Sequence, residues 1–490
     1  MEKTDTLAPL EWKVGSLIIS SPQGRSGKTV VTIGLCRLFV QNGYKVQPFK
    51  KGPDYIDPSW LTLAAHRTCR NLDLFLIPRE SLIENFRKNC LGMDIAIIEG
   101  AMGLYDGLSA KETTAEIAHL FNIPILMVIN TTRMAESISA MIMGYQNFRS
   151  DIYIAGIILN YVSGARHESK LRNAVEKYCK IPVVGSIPKD INLNIPERHL
   201  GLIPSEETRK AESIVDLISQ RLNTYLDLNG ILMIAKRFNT PNSSLFLQGA
   251  RRHNELHLPQ VEKEDEETSY TLSNRMVGVG NLTSKIKIGV LRDQAFNFYY
   301  PENIEALEEK GAEIIYINSL RDSLPQIDAL YIGGGFPEFF LEELEKNNYL
   351  RRDIANAIEG GLPVYAECAG LMYLCQRNYW EGKSYEMVGV IPAEVQISKR
   401  PEAHGYVMVE TEAENPFFPK GTTILGHEFH HSKLLLMKEV KFVFKIKRGH
   451  GIDGKKDGIL YKNMFATYIH IHSLGVPQWA EAFISLAKRR

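Results

Sequence analysis

Leu17-Ile18-Ile19 is a short apolar run, Gly24-Arg25-Ser26-Gly27-Lys28-Thr29 follows it, and apolar residues then recur at helical spacing from Val30 to Val40. The order reads as strand, glycine-bearing loop and helix, the opening unit of a sheet whose strands run parallel and are wrapped by helices. Further apolar runs at 95–98, 125–129 and 154–159 each precede polar or glycine-containing residues and a helical stretch. Near-continuous apolar strands of this kind belong to a sheet covered on both faces. From about Leu226 the pattern fades, and Glu262 to Ser273 is acidic and polar. Strand and helix alternation resumes at 286–291, 314–317, 329–332 and 364–366. The expectation is therefore two α/β domains, 14–225 and 285–490, joined by a linker over 226–284. No internal repeat is visible.

Lys28 and Thr29 after a glycine-rich turn are the groups a nucleoside triphosphate needs: backbone N–H donors, a cation for the outer phosphates and a hydroxyl for Mg²⁺. Gly24, Ser26, Gly27, Lys28 and Thr29 form the candidate ATP loop. It departs from the Walker A pattern, which would place glycine where Pro22 stands, or at Ser21 in its longer variant. The strand at 95–98 ends in Glu99-Gly100-Ala101-Met102-Gly103-Leu104-Tyr105-Asp106-Gly107, a carboxylate at a strand's C-terminal end, where sheets of this type bind ligands. Glu99 is the natural second Mg²⁺ ligand after Thr29, because Mg²⁺ takes one or two carboxylates and completes its shell with phosphate and water. Lys50-Lys51-Gly52-Pro53-Asp54-Tyr55-Ile56-Asp57-Pro58 sets cations and carboxylates between two prolines. A solvated turn has the same composition.

Pro363-Val364-Tyr365-Ala366 runs into Glu367-Cys368-Ala369-Gly370, and Leu371 to Cys375 reads as helix, so Cys368 sits in a nucleophile elbow. Such a turn exposes the sulfur at a helix N-terminus, where the dipole favours thiolate. Gly334 and Gly335, after the strand at 329–332, and the Ala369 N–H are candidate oxyanion donors. The base has many candidates: His404, His427, His430, His431, His450, His470 and His472. His470 ends a strand-like segment late in the domain. The other cysteines, at 36, 69, 90, 179 and 375, read as small buried hydrophobes.

Lys plus Arg and Asp plus Glu are 57 each, which argues against a general nucleic-acid or membrane-surface binder. Six cysteines without C-x-x-C spacing do not make a disulfide framework, and a reducing cytoplasm is expected. Met1 to Leu10 has no apolar signal core and no run approaches membrane-spanning length, so a soluble, unprocessed chain is expected.

Taken in order, Gly27-Lys28-Thr29, the 48–58 segment, Asn71-Leu72-Asp73, Glu99-Gly100, Pro196-Glu197-Arg198-His199-Leu200-Gly201-Leu202, Gly334-Gly335-Phe336-Pro337-Glu338, Glu367-Cys368-Ala369-Gly370-Leu371-Met372-Tyr373-Leu374 and Gly426-His427-Glu428-Phe429-His430 resemble the cobyrinate a,c-diamide synthase family. The resemblance covers nearly all of the chain outside the linker. It implies a dethiobiotin-synthetase-like ATP domain fused to a class I glutamine amidotransferase domain. The implied partners are L-glutamine and a tetrapyrrole polycarboxylate, the cofactors ATP and Mg²⁺, and a homodimer stays open. By resemblance Cys368 is the glutaminase nucleophile and His470 its base. Asp54, Asp57, Glu99 and Asp106 match positions that serve Mg²⁺, phosphate or the acyl intermediate; Asp54 joins Thr29 and Glu99 as a metal candidate, and Lys51 and His199 join Asp57 and Asp106 for acyl phosphate and substrate. Two departures stand out. His472 occupies the place, two residues after the base, where many class I glutaminases carry an acid. Lys50-Lys51 and Trp60-Leu61 are closer to siroheme-amidating relatives, so the macrocycle stays open among cobyrinate, Ni-sirohydrochlorin and siroheme. A P-loop switch ATPase is the rival class, but it has Gln23 near its signature lysine's place and no use for a cysteine elbow.

Overall fold

The computed structural model describes residues 14–190, 193–198, 201–237 and 285–489. The first unit is built on a seven-stranded sheet, in spatial order β3-β2-β4-β1-β5-β6-β7. Its strands are β1 (Gly15–Ser20), β2 (Val46–Lys51), β3 (Arg70–Leu72), β4 (Ile95–Glu99), β5 (Ile125–Asn130), β6 (Ile154–Val162) and β7 (Val183–Pro188). All neighbours pair in parallel. One face is packed by Ile18, Phe49, Ile98 and Ile129, the other by Leu17, Ile19, Ile97 and Val128, each with its own layer of helices. Burial on both faces explains why the strands read as unbroken apolar runs. The order reverses at β1 and β4, and the crevice beyond their C-terminal ends receives the loops after β1, β2 and β4.

Leu228–Arg237 is a helix, with Ile231 and Ala235 buried among the side chains of the first unit. The composition placed a linker from residue 226; in the structure this stretch still belongs to the first unit's packing. The acidic 262–273 segment lies outside the described residues. Two short strands, β8 (Glu197–Arg198) and β9 (Gly201–Leu202), pair antiparallel.

The second unit carries a nine-stranded mixed sheet and a four-stranded one. In the large sheet β10 (Ile286–Leu291), β11 (Ala312–Ile317), β12 (Ala329–Ile332) and β13 (Val364–Glu367) run parallel in the order β11-β10-β12-β13. The chain then adds Cys375–Trp380, Lys383–Glu386, Ile391–Ile397 and Ser432–Leu436 as the small sheet. The strands Ala403–Thr411, Thr423–His430, Lys441–Arg448, Lys456–Tyr461 and Met464–Thr467 complete the large one. Met464–Thr467 lies parallel to β13, with Glu367 opposite Thr467. The helix read over 371–375 runs instead over Ala369–Leu374, because Cys375 already belongs to the next strand.

The two units meet face to face. Tyr406 Oη donates to Asp73 Oδ2 at 2.7 Å, Arg70 reaches Glu305 at 2.5 Å, and Asn85 Nδ2 donates to Glu302 Oε1 at 3.0 Å.

Candidate active sites on the two sides of one interface

In the first unit, Gly27 holds φ at 89° and begins the helix Lys28–Gln41. A β-carbon there would come within 2.2 Å of Asn160 Nδ2, the atom that donates to the Ser26 carbonyl at 2.9 Å. The loop is thus pinned by β6, and glycine is required by both space and torsion. No side chain caps the helix and no acid lies in its first turn, which leaves its N–H groups for an anion. Gly24 faces open space, and Ser26 Oγ donates to the Gln23 carbonyl at 2.9 Å. Lys28 Nζ donates to Met102 O at 2.7 Å and Ser21 Oγ at 2.9 Å. Burial lowers its pKa to about 8, against the pull of Glu99.

Behind the loop the ends of β2 and β4 assemble a charged centre. Lys50 Nζ stands 2.5 Å from Asp57, 3.1 Å from Glu99 and 3.8 Å from Asp54. Burial alone would lower the Lys50 pKa, but Asp57, Glu99 and Asp54 raise it, so this ammonium stays charged. Burial, with Asp57 close by, pushes Asp54 up to about 7, and burial raises Glu99. Thr29 Oγ1 donates to Glu99 Oε1 at 2.6 Å, while Glu99 Oε2 is buried without a hydrogen-bond partner. An orphaned carboxylate oxygen beside a hydroxyl is a fitting pair of Mg²⁺ ligands, since phosphates and water supply the remainder. Among the described residues no group of three or more His, Cys, Asp or Glu could by itself hold a metal ion.

Asp106 is exposed and accepts from the Gly103 N–H at 3.0 Å, which folds the 100–107 loop against Pro22. Lys51 is buried apart from the Lys50 centre; burial lowers its pKa while Asp73 and Glu112 oppose that. His199 lies outside the described residues.

In the second unit, Cys368 has φ 50° and ψ −101°, a strained elbow between β13 and the helix Ala369–Leu374. Its N–H donates to the Thr467 carbonyl at 2.7 Å. The sequence suggested an exposed sulfur poised as thiolate. In the structure Cys368 is only 4% exposed, its thiol donates to the Phe429 carbonyl at 3.6 Å, and burial, then Glu338, raises its pKa. Desolvation outweighs the short helix's dipole. The sulfur borders a cavity of about 20 Å³ with Gly335, Glu338, Met372, Phe429 and His430, room for about one water. Glu338 is itself pushed up to about 7 by burial.

Gly334 does not offer its N–H to an oxyanion here, because that N–H donates to the Phe298 carbonyl at 3.3 Å. Its role is room: a β-carbon at Gly334 would lie 2.5 Å from His470 Cε1. Gly335 has φ 156° and would collide with the Ala295 carbonyl at 2.1 Å if it carried a β-carbon. Gly335 borders the cavity and Ala369 N–H hydrogen-bonds toward the Cys368 sulfur, so these two remain the oxyanion candidates.

His470 is 1% exposed, bridges His427 through both backbone groups and stacks on its ring at 4.9 Å. Of the other candidate bases, His404 is exposed, His430 Nδ1 is held by Ser432 O at 2.8 Å, and His472 Nε2 stands 3.5 Å from Glu302 Oε2. Sequence reasoning missed Tyr55. It stacks on Phe298 at 5.0 Å and lies 5.3 Å from the His470 ring, one residue from Asp54. Its place between Asp54 and Asp57 was the available signal.

A phosphate loop with a carboxylate centre, facing a cysteine elbow with a buried histidine, defines an ATP-driven, glutamine-dependent carbon–nitrogen ligase. Residues 17–203 match the CobQ/CobB/MinD/ParA nucleotide binding domain, and residues 287–477 the CobB/CobQ-like glutamine amidotransferase domain. The chain is 40% identical over 475 residues to a cobyrinate a,c-diamide synthase of Magnetococcus marinus, covering 96% of this chain and 97% of that protein. It is also 40% identical over 488 residues to one of Archaeoglobus fulgidus, covering 99% of both chains, and 37% identical over 501 residues to one of Methanosarcina acetivorans, covering 96% and 95%. The chain belongs to the cobyrinate a,c-diamide synthase family. No helix among the described residues is long and apolar enough to cross a membrane.

Proposed function

We propose that this protein converts the a and c acetate carboxylates of cobyrinate to amides, using ATP and the side-chain nitrogen of glutamine. The observation that carries the coupling is Tyr55: the loop bearing Asp54 and Asp57 touches the ring of His470 across the interface. The substrate rests on relatives of nearly equal length.

A carboxylate resists attack by nucleophiles because it is anionic and oxide is a poor leaving group. Transfer of the terminal phosphoryl group gives an acyl phosphate, which removes both obstacles. Lys28 leaves the Met102 carbonyl for the outer phosphates, and the first turn of the Lys28–Gln41 helix holds the remainder. Thr29 and the free oxygen of Glu99 would hold Mg²⁺, which when bound offsets phosphate charge; Asp54 borders the same centre. Lys50 keeps Asp57 and Glu99 in place, and Asp57 and Asp106 are the carboxylates assigned here to the acyl phosphate and substrate.

On the other side Cys368 gives its proton to His470 and attacks the glutamine carboxamide, with Gly335 and Ala369 N–H groups at the oxyanion. Glu338 supplies a countercharge for the α-ammonium of glutamine. His470 returns the proton to departing ammonia, and water frees glutamate from the thioester. Ammonia then displaces phosphate from the acyl phosphate, crossing the interface at which Tyr55 packs against His470. The reaction belongs in the cytoplasm, where the six cysteines, all free here, stay reduced.

Replacing Cys368 by Ala abolishes glutamine-dependent amidation and leaves turnover with high ammonium; loss of both would contradict the division of labour. Glu99→Gln stops amidation with either nitrogen source, and turnover near the parent's would remove Glu99 from the phosphoryl-transfer centre. Product analysis against cobyrinate, Ni-sirohydrochlorin and siroheme tests the macrocycle, and amidation of only the latter two would overturn the substrate assignment.

A further inference from the structure

We infer that Glu367, the residue immediately before the nucleophile, is the carboxylate that orients His470 and supports its charge during glutamine hydrolysis. The inference rests on the amidotransferase reading above. A cysteine–histidine pair works best when a third group fixes the imidazole's tautomer and rotation and stabilises the imidazolium that forms. Two residues beyond His470 the chain offers His472 rather than an acid, and that ring is turned to Glu302.

The geometry supplies the acid from another direction. Glu367 ends β13, and its pairing with Thr467 brings the start of the 467–472 segment alongside it. Glu367 Oε2 lies 3.5 Å from His470 Nδ1, with both side chains 1% exposed. His470 Nδ1 has no hydrogen-bond partner, a costly state for a buried polar atom. Glu367 is itself held at both oxygens: Oε2 accepts from Tyr331 Oη at 3.1 Å and Oε1 from the Ile471 N–H at 3.2 Å. The second of these ties the carboxylate to the residue next to His470. With Nδ1 directed to Glu367, Nε2 faces the Gly334 side, 3.2 Å from where a β-carbon would stand, and is the nitrogen left to serve the thiol. Closing the 3.5 Å gap to a normal hydrogen bond requires only a small shift, and catalytic contacts commonly tighten when substrate binds. One short segment, Glu367-Cys368, thus provides both the nucleophile and the orienting acid, while the conventional acid position holds a histidine that faces Glu302 of the same unit.

The test uses the full-length protein with Glu367→Gln, which keeps acceptor and shape, and Glu367→Asp. The wild-type chain must first hydrolyse glutamine in a Cys368-dependent way; if it does not, the amidotransferase reading fails and this inference with it. Given that activity, Glu367→Gln is expected to lower kcat for glutamine hydrolysis about 10²-fold or more with KM for glutamine within about threefold. Amidation driven by ammonium persists, and Glu367→Asp recovers part of kcat. A kcat within about threefold of the parent overturns the inference. So does parallel loss of the ammonium-driven reaction, since that marks a merely structural residue.

Discussion

At the residue scale, Gly334 shows how little separates a working site from a blocked one. Sequence motifs suggest an oxyanion donor there, yet its N–H is taken by Phe298, and what the position supplies is an absent β-carbon under the His470 ring. Gly334→Ala places that carbon 2.5 Å from Cε1, closer than any real contact, so the imidazole must move. Because a misplaced base commonly costs about 10²-fold, glutamine hydrolysis should fall by that order while ammonium-driven turnover survives. An unchanged glutaminase rate would show that His470 is not the base. The thiol makes a related point. Its pKa is raised in this closed arrangement, so thiolate has to be formed by proton transfer to the histidine rather than standing ready.

At the element scale, the loop after β2 is the unit that joins the two chemistries. It carries Asp54 and Asp57 toward Lys50 and sends Tyr55 into a cage of Phe298, Tyr300, His427 and His470. Tyr55→Ala opens that cage, and ammonia should then escape. More glutamate should form per ADP than in the parent, measurable by assaying both products in one reaction. A ratio equal to the parent's would place the passage elsewhere. Motifs held in one short stretch were legible beforehand: the phosphate loop, Glu99 at a strand end and the elbow at Cys368 each announce themselves through local backbone chemistry. What could not be read is what depends on neighbours distant in sequence. The burial of Cys368 under Phe429, the Glu367–His470 approach and the Tyr55 cage all arise when segments tens to hundreds of residues apart pack together. The helix at 228–237 was hidden for another reason: its apolar run, Ile231 to Ala235, is short and follows Asn229-Gly230, and only packing against the first unit shows that it belongs there.

At the scale of the whole molecule, the two units are locked by a buried polar network. Burial would raise the Glu302 pKa, but His472, Arg70 and Asn85 hold it down to about 2. Its ordinary value is 4.5, so its contribution to stability is complete above that pH and is lost as pH falls through about 2. Glu302→Gln leaves Arg70 and His472 without their shared partner and should cost about 3 kcal/mol at neutral pH. It should also flatten the stability change between pH 4.5 and 2, which denaturant melts across that range would reveal; an unaltered profile would remove Glu302 as a keystone of the interface. The same closeness of the units should keep nitrogen inside the protein. The most direct measurement offers cobyrinate and ATP together with glutamine labelled in its amide nitrogen and an equal concentration of unlabelled ammonium, and reads the product amides by mass spectrometry. Label in nearly all of the new amide nitrogen, and none after Cys368→Ala, is the predicted result. Product carrying the bulk ratio of the two nitrogens would contradict internal transfer between the sites.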